Sequence, residues 1–448
     1  MAHWYSFILG RTPELSVAEL EHVLPAHTDF SVIESSAHFF VIETPLPLDT
    51  ARLMRTLGGT IKIGEGLEIF SIANYEMALR QASPSGLTER DGASARENAS
   101  SIVPVPLGDT CREKTFHNPK IFNTRQMASK CAHLMVNHLA KKQKIYFGVS
   151  AYSRLPLHIN PYALGLEIKK ILKEAFNHSS RLVSSREGIL SSVVVATNKL
   201  LSNRGAELQL FVIKKNIYVA RTSAVQNFAD FSKRDYERPA ADSKSGMIPP
   251  KIARSMINLA QIQAGENILD PFCGSGTILM EAALLHPHHK LYGSDMSTRA
   301  IQDTKKNFNW LKREYPRAGT HLSLIQSPIE TLDATLHPHS IDAIITEPFL
   351  GPPLRGATSK TALGRILNDL NPLYEKMLFI FSSLLKPRGR VVMVWPVFAY
   401  QKSWLDLPAF NTIKKYFDFE PLSPHAHGIF YARPDQKVGR YIVKLTLK

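Results

Sequence analysis

The chain has 448 residues and a formal net charge of +15, a length that predicts two to four domains. Its 44% hydrophobic content is too high for a disordered chain, no apolar run reaches the ~18 residues of a membrane span, and no basic segment precedes the apolar stretch in Met1–Gly10 as a secretory signal would require. Three scattered cysteines, Cys111, Cys131 and Cys273, exclude a disulfide framework and a paired-cysteine zinc site, which leaves a soluble, multidomain protein of a reducing, cytoplasmic compartment.

The charge is uneven. Residues 1–110 carry a net −7, residues 111–240 a net +14 and residues 241–448 a net +8. A basic middle beside an acidic start predicts a segment that grips a polyanion. In the first part, Trp4–Leu9 reads as a strand, Val17–Leu24 as a helix, His38–Ile42 as a strand, Thr50–Leu57 as a helix and Ile61–Ile69 as a strand. This is the pattern of a small α+β unit. Ser83–Ser101 has neither periodicity nor large apolar residues and reads as a linker or loop.

A second α+β unit follows. Ile145–Val149, Leu190–Ala196, Glu207–Ile213 and Asn216–Ala220 read as strands, and Pro161 precedes a helix over Tyr162–Phe176. Arg125, Lys130, Lys141, Lys142, Arg154 and Arg221 are candidate nucleic-acid contacts. Phe122, Tyr146 and Tyr152 lie near some of them, a mixture that suits phosphate contacts with base stacking.

From about Pro249 strands and helices alternate. The strands are Asn267–Leu269, Lys290–Ser294, His321–Ile325, Ile341–Ile345, Arg390–Pro396 and Tyr441–Leu447. The helices are Lys251–Ala260, Thr277–Leu285, Arg299–Leu311 and Tyr374–Leu385. This order predicts a doubly wound, mostly parallel sheet.

Two segments carry chemistry. In NILDPFCGSGTILME (Asn267–Glu281), an apolar strand ends in Asp270 and a glycine turn opens a helix. Gly274 and Gly276 let the backbone approach a ligand. The turn is neither GxGxxG nor a P-loop. Asp295, 19 residues after Gly276 in YGSD, ends the next strand, where a carboxylate can hold a ribose diol. The pair predicts a pocket for an adenosine-type cofactor. The second segment is IITEPFLG (Ile344–Gly351). Glu347 sits at a strand's carboxyl end, followed by Pro348 and Phe349. A carboxylate and a backbone carbonyl there can accept N–H bonds from an exocyclic amine and favour its attack on a methyl group. Phe349 can stack on the base.

From about Arg238 onwards these segments resemble a Rossmann-like S-adenosylmethionine-dependent methyltransferase. RPAADSKSGMIPPKIARSMINLA, LDPFCGSGTILMEA, YGSD and TEPFLG are similar to the tRNA guanine-10 N2-methyltransferase family of archaea and eukaryotes. IYFGVSAYSR, LFVIKKNIYVARTSAVQN and the opening FILGRTPELSVAELE resemble a THUMP RNA-binding module with its preceding ferredoxin-like part. The resemblance implies an α/β chain of three parts: a ferredoxin-like domain with linker (1–110), a THUMP-like domain (111–237) and the methyltransferase domain (238–448). It implies a cofactor site at Asp270, Pro271, Phe272, Cys273, Gly274, Gly276 and Asp295, with Met247, Ile248 and Pro249 upstream. It also implies a catalytic group of Glu347, Pro348 and Phe349, a tRNA substrate and a small activating partner protein.

Two departures stand out. The family's DPPY reads Glu347-Pro348-Phe349-Leu350, and a shifted register would set Thr346 opposite the acid. The acid expected after the third strand is replaced by Gln326-Ser327-Pro328, with either Glu330 or no residue as its substitute. Other readings remain at this point: an amino-methyltransferase of rRNA guanine or of adenine, or a catalytically silent RNA-binding protein. Cys273 reads as packing, and His286, His288 and His289 read as surface residues without a metal ligand set. His425, His427 and the Gly351–Gly356 loop with Arg355 are candidates for the substrate side.

Overall fold

The computed structural model describes residues 2–72, 124–139, 144–153, 159–241, 247–319, 321–352, 354, 359–401, 403–422, 428–432 and 436–448. The 83–101 stretch, Cys111, Phe122, Lys141, Lys142, Arg154, Arg355, His425 and His427 lie outside them. The chain divides into two compact units. Unit 1 comprises Met1–Pro13, Pro25–Arg55 and Thr60–Phe228, and unit 2 comprises Glu14–Leu24, Thr56–Gly59 and Ala229–Lys448.

Unit 1 is built on eight strands: β1 (His3–Leu9), β2 (Ser31–Ser35), β3 (Phe39–Thr44), β4 (Thr60–Ser71), β5 (Ile145–Ser153), β6 (Ser180–Val183), β7 (Gly205–Ile213) and β8 (Asn216–Val225). In sequence, α1 (Pro13–Val23) and α2 (Thr50–Thr56) fall among the first four, and α3 (Thr124–His138), α4 (Pro161–Glu174) and α5 (Ser192–Thr197) among the rest. The strands form one sheet in the order β2-β3-β1-β4-β8-β7-β5-β6. Antiparallel pairing of β4 with β8 runs from Lys62 opposite Val225 to Ser71 opposite Asn216. Strands from residues 1–110 and from 111–237 therefore share a sheet.

A buried polar network crosses that sheet. Lys62 Nζ donates to Glu207 Oε1 at 2.6 Å and to the Leu190 carbonyl at 2.7 Å. Ser150 and Thr222 donate hydroxyls to the same carboxylate at 2.6 and 2.5 Å. Gln209 donates to Thr222 and accepts from Ser6, each at 2.7 Å. Both ions are fully buried, so their stability rests on this saturation of lone pairs and protons.

One expected strand is a helix. Leu190–Ala196 reads as extended because of Val193-Val194-Val195, yet α5 occupies Ser192–Thr197. Ser191 caps it by accepting from the Val194 N–H at 3.3 Å. The cap and the burial of Val195 override the β-branched preference.

Unit 2 carries β9 (Asn267–Asp270), β10 (Lys290–Asp295), β11 (Leu322–Gln326), β12 (Ile341–Thr346), β13 (Leu385–Tyr400), β14 (Ser403–Asp406), β15 (Phe417–Glu420), β16 (Gly428–Tyr431) and β17 (Val438–Leu447). Its helices are α6 (Phe228–Tyr236), α7 (Pro250–Leu259), α8 (Thr277–Leu285), α9 (Thr298–Glu314), α10 (Lys360–Leu384) and α11 (Phe410–Tyr416). The sheet order is β11-β10-β9-β12-β13-β17-β15, with β14 on β13 and β16 on β17. Strands β9 to β13 of that order pair in parallel, and β17 runs antiparallel to β13. The order reverses between β9 and β12, and open α/β sheets bind ligands past the carboxyl ends of strands at such a point.

Helix α10 begins 14 residues before the sequence pattern suggests, because Ser359 caps it through the Ala362 N–H at 3.1 Å. Pro372 is accommodated inside it. Two buried polar clusters tie down further helices. Glu281 on α8 is buried between Arg234 of α6 at 2.5 Å and Arg254 of α7 at 2.6 Å. Glu19 of α1 is also buried in unit 2. It accepts from the N–H groups of Gly58 and Gly59 at 2.8 and 2.7 Å, and from Asn258 Nδ2 at 2.6 Å.

Candidate active site

The residues between β9 and α8 form a tight turn. The Cys273 N–H donates to the Ser294 carbonyl at 2.8 Å, and the Gly276 N–H to the Cys273 carbonyl at 2.7 Å. Gly274 and Gly276 take left-handed backbone angles, φ +52° and +86°, which an L side chain adopts at a cost of roughly 1–2 kcal/mol. A Cβ on Gly276 would stand 2.8 Å from the Thr304 methyl, whereas one on Gly274 would meet no atom within 4 Å. The turn is propped from behind. Thr304 donates to the Gly274 carbonyl at 2.7 Å and Asn307 to the Ser275 carbonyl at 2.8 Å.

The upstream segment docks onto the same turn. Arg238 donates to Thr277 Oγ1 at 2.6 Å and to Met247 Sδ at 2.9 Å, and Ser275 Oγ reaches the same sulfur at 3.0 Å. Asn307 exchanges hydrogen bonds with the Ala240 backbone. Met247 is thereby brought against the glycine turn, and Pro249 stands at the start of α7 as its N-cap. Pro271 and Cys273 are buried and Phe272 half-buried. Burial raises the Cys273 thiol well above its ordinary range, which suits packing and not nucleophilic work.

Two carboxylates flank the turn. Asp295, ending β10, accepts from the Gly274 N–H at 3.1 Å and from the Ser297 N–H at 2.8 Å. Asp270, ending β9, is buried. Its Oδ1 accepts from Thr346 Oγ1 at 2.7 Å and from the Phe272 N–H at 3.2 Å. Burial pushes the Asp270 carboxyl up to about 7, and the charges of Asp295 and Glu347 push it the same way. The Thr346 hydroxyl is thus engaged by Asp270, which favours Glu347 as the acid of the second segment.

Glu347 lies one residue beyond β12, with its side chain 14% exposed. Its Oε1 accepts from Arg440 Nε at 2.5 Å. Arg440 stands on β17, on the far side of β13, where it is opposite Pro396. Burial raises the Glu347 carboxyl, and Arg440 opposes that rise. Pro348 is buried, while the Phe349 ring is 56% exposed. Tyr374 Oη donates to the Phe349 carbonyl at 3.1 Å and holds this turn from below. Leu350 packs on the core. After β11, Ser327 donates to the Pro328 carbonyl at 3.0 Å, and Glu330 is exposed on a 3-10 helix (Ile329–Ala334).

The sequence reading misses Arg440. Glycine, arginine and tyrosine at the start of an apolar strand give no hint of a partner 93 positions earlier. The one available signal is a cation near the start of a strand that carries a second one at Lys444.

The candidate RNA contacts of unit 1 divide. Arg125 and Lys130 are exposed on α3, and Lys130 Nζ stands 4.3 Å from the Phe70 ring centroid. Arg221 is half-buried and donates to the carbonyls of Ser202 and Gly205 at 3.2 and 3.1 Å, so it braces a turn. Tyr152 is not available for base stacking, because its buried ring stacks on Phe211 at 5.0 Å.

Residues 237–416 match a family described as an RMKL-like methyltransferase domain, and residues 134–306 match one described as a DNA methylase. The methyltransferase resemblance is borne out. A tRNA (guanine(10)-N2)-dimethyltransferase of Methanothermobacter thermautotrophicus is 30% identical over 44% of this chain and 52% of its own length. The chain thus spans about half of that relative. The Methanocaldococcus jannaschii protein of the same name is 25% identical over 58% of this chain and 69% of its own. Human U6 snRNA (guanine-N(2))-methyltransferase THUMPD2 is 27% identical over 40% of this chain and 32% of its own. The crystal structure of TrmN from Thermus thermophilus covers all of both chains at a TM-score of 0.54 and 14% identity. The expected α/β architecture is borne out by that likeness in fold. No helix among the described residues is long and apolar enough to cross a membrane.

Proposed function

We propose that this protein is an S-adenosylmethionine-dependent methyltransferase of the exocyclic N2 amine of guanine in tRNA, with guanosine 10 as the target. The observation that carries the reading is the meeting of Asp270, the Gly274 turn, Asp295 and Glu347 at the point where the strand order reverses. The names of the archaeal relatives support the choice of tRNA.

The residues present fit the cofactor. The space beside Gly274 is open, with no atom within 4 Å of an added Cβ, and the Gly274 N–H is held by Asp295. Asp295 would hold ribose hydroxyls, while Met247, Pro249, Pro271, Phe272, Cys273 and Gly276 would shape the rest of the wall. When bound, S-adenosylmethionine supplies an electrophilic methyl carbon on a sulfonium. Glu347 accepts an N–H of the target amine, and so localises the lone pair that the ring otherwise delocalises. It then takes the proton that the nitrogen loses and passes it to water. The half-exposed Phe349 ring offers a stacking face for a base extruded from its helix. Pro348 fixes the turn between the two. Arg125 and Lys130 would contact RNA backbone by charge, with Lys141, Lys142 and Arg154 in the same group, whereas Arg221 braces its own turn. The three-part division at 110 and 237, a cytoplasmic location and a small activating partner belong to the same proposal.

The test uses labelled S-adenosylmethionine, unmodified tRNA transcripts and nucleoside mass spectrometry. N2-methylguanosine mapped to position 10 is the expected product. Label in rRNA or DNA alone would overturn the tRNA assignment. In Glu347→Ala, turnover should fall by roughly 100- to 1,000-fold, with cofactor and tRNA binding kept. Unchanged turnover would remove Glu347 from the mechanism.

A further inference from the structure

We infer that Arg440 is a positioning residue for the transfer, holding Glu347 anionic and aimed at the amine through their buried ion pair. The inference rests on the role given to Glu347 above. It goes beyond it by naming a second residue, on a different strand, that acts only through the first.

The geometry is specific. Glu347 lies one residue past the last β12 ladder pair, Thr346 opposite Met393. Arg440 reaches it across β13 from the antiparallel β17, and its Nε donates to Glu347 Oε1 at 2.5 Å. Its Nη1 donates to Gln436 Oε1 at 3.1 Å. The guanidinium is thus oriented by a residue of the chain leading into β17. Both ends of the pair are largely shielded, with side chains 9% and 14% exposed. An arginine presents its donors in a rigid planar fork, and a lysine would offer a point charge on a flexible stem.

The chemistry requires such a cation. A carboxylate polarises an amine only when ionised, yet burial here favours the neutral acid. The groups facing Glu347 are Arg440 from β17, Asp270 from β9 and Tyr374 from α10. The charge of Glu347 raises the Asp270 carboxyl and the Tyr374 phenol, so it favours the neutral form of both. Arg440 is the cation of that set. It also leaves the carboxylate in one orientation, which compensates for the extra methylene by which glutamate exceeds aspartate.

The test compares Arg440→Gln and Arg440→Lys with the intact protein, each with folding checked by thermal unfolding. In Arg440→Gln, kcat should fall by roughly 10- to 100-fold at neutral pH, while KM for tRNA and the dissociation constant for S-adenosylhomocysteine change little. The acid limb of its kcat profile should move upward by about 1–3 pH units, so that raising the pH restores activity. Arg440→Lys should keep the limb nearer its original place. An unchanged profile in Arg440→Gln, or a loss of kcat that no pH relieves in a folded variant, would overturn the inference. If the intact protein methylates no RNA, the function reading fails and the pairing is read from carboxyl 13C NMR, with Glu347→Gln identifying the signal. An upward move of the Glu347 titration in Arg440→Gln then upholds the pair, and no move refutes it.

Discussion

Asp270 is held at odds with its own ionisation. Its carboxyl is raised from 3.8 to about 7 by burial. The folded state therefore keeps a proton that the unfolded chain releases near pH 4. Stability contributed by that proton is present at low pH and is lost as the pH rises towards 7. Asp270→Asn keeps an oxygen for Thr346 and for the Phe272 N–H and removes the charge. The variant should be more stable than the parent at pH 8 by a few kcal/mol, since each tenfold change in proton affinity is worth ~1.4 kcal/mol. The difference should shrink to near zero by pH 4, and binding of S-adenosylhomocysteine should weaken. Urea unfolding of the ligand-free proteins at the two pH values reads the first effect. Equal stability at both would show that Asp270 is ionised in the fold without cost. The position of this acid was legible in the sequence, as an aspartate closing an apolar strand ahead of a glycine turn. Its neutral tendency was not, because burial depends on Thr346 and on β12, which meet it only in three dimensions.

At the scale of the element, the turn between β9 and α8 separates two kinds of glycine. Gly276→Ala combines left-handed backbone strain with a collision against Thr304 on α9. It should destabilise unit 2 by more than the roughly 1–2 kcal/mol that the backbone strain alone costs. Gly274→Ala carries the backbone cost but places its methyl in open space. Its stability loss should be the smaller of the two, while affinity for S-adenosylhomocysteine falls by roughly tenfold or more. Calorimetric binding and thermal unfolding of both variants check this. A larger stability loss in Gly274→Ala would refute the assignment of the two roles. The sequence announced this turn because strand, glycines and helix are contiguous between Asn267 and Leu285. It misread α5, where three valines outweighed a serine cap. It also left β14 to β16 unread, since these short strands owe their pairing to β13 and β17.

At the scale of the whole molecule, strands from the acidic first part and the basic second part form one sheet. Glu207 lies under it as the acceptor shared by Lys62, Ser150 and Thr222. Glu207→Ala leaves Lys62 as a buried, uncompensated cation, and should destabilise unit 1 by about 3–5 kcal/mol. Because β4 and β8 are zipped together, hydrogen exchange should accelerate in strands from both sequence segments. Acceleration in one segment alone would contradict a single cooperative sheet. The pattern of strands was readable from alternation, but this merger was not, since it depends on which edge of one half meets which edge of the other.

The path of the chain between the units has a consequence for synthesis on the ribosome. Residues 14–24 and 56–59 belong to unit 2, yet the rest of that unit begins only at Ala229. At about 5–20 residues per second, α1 waits roughly 10–40 s after its own emergence before the stretch from Ala229 begins to appear. During that interval Leu15, Ala18 and the Glu19 carboxylate have no native partners from the later unit. The early helix is a guest kept waiting for its host, and its Leu15 and Ala18 face is apolar surface that a nascent-chain chaperone can shield.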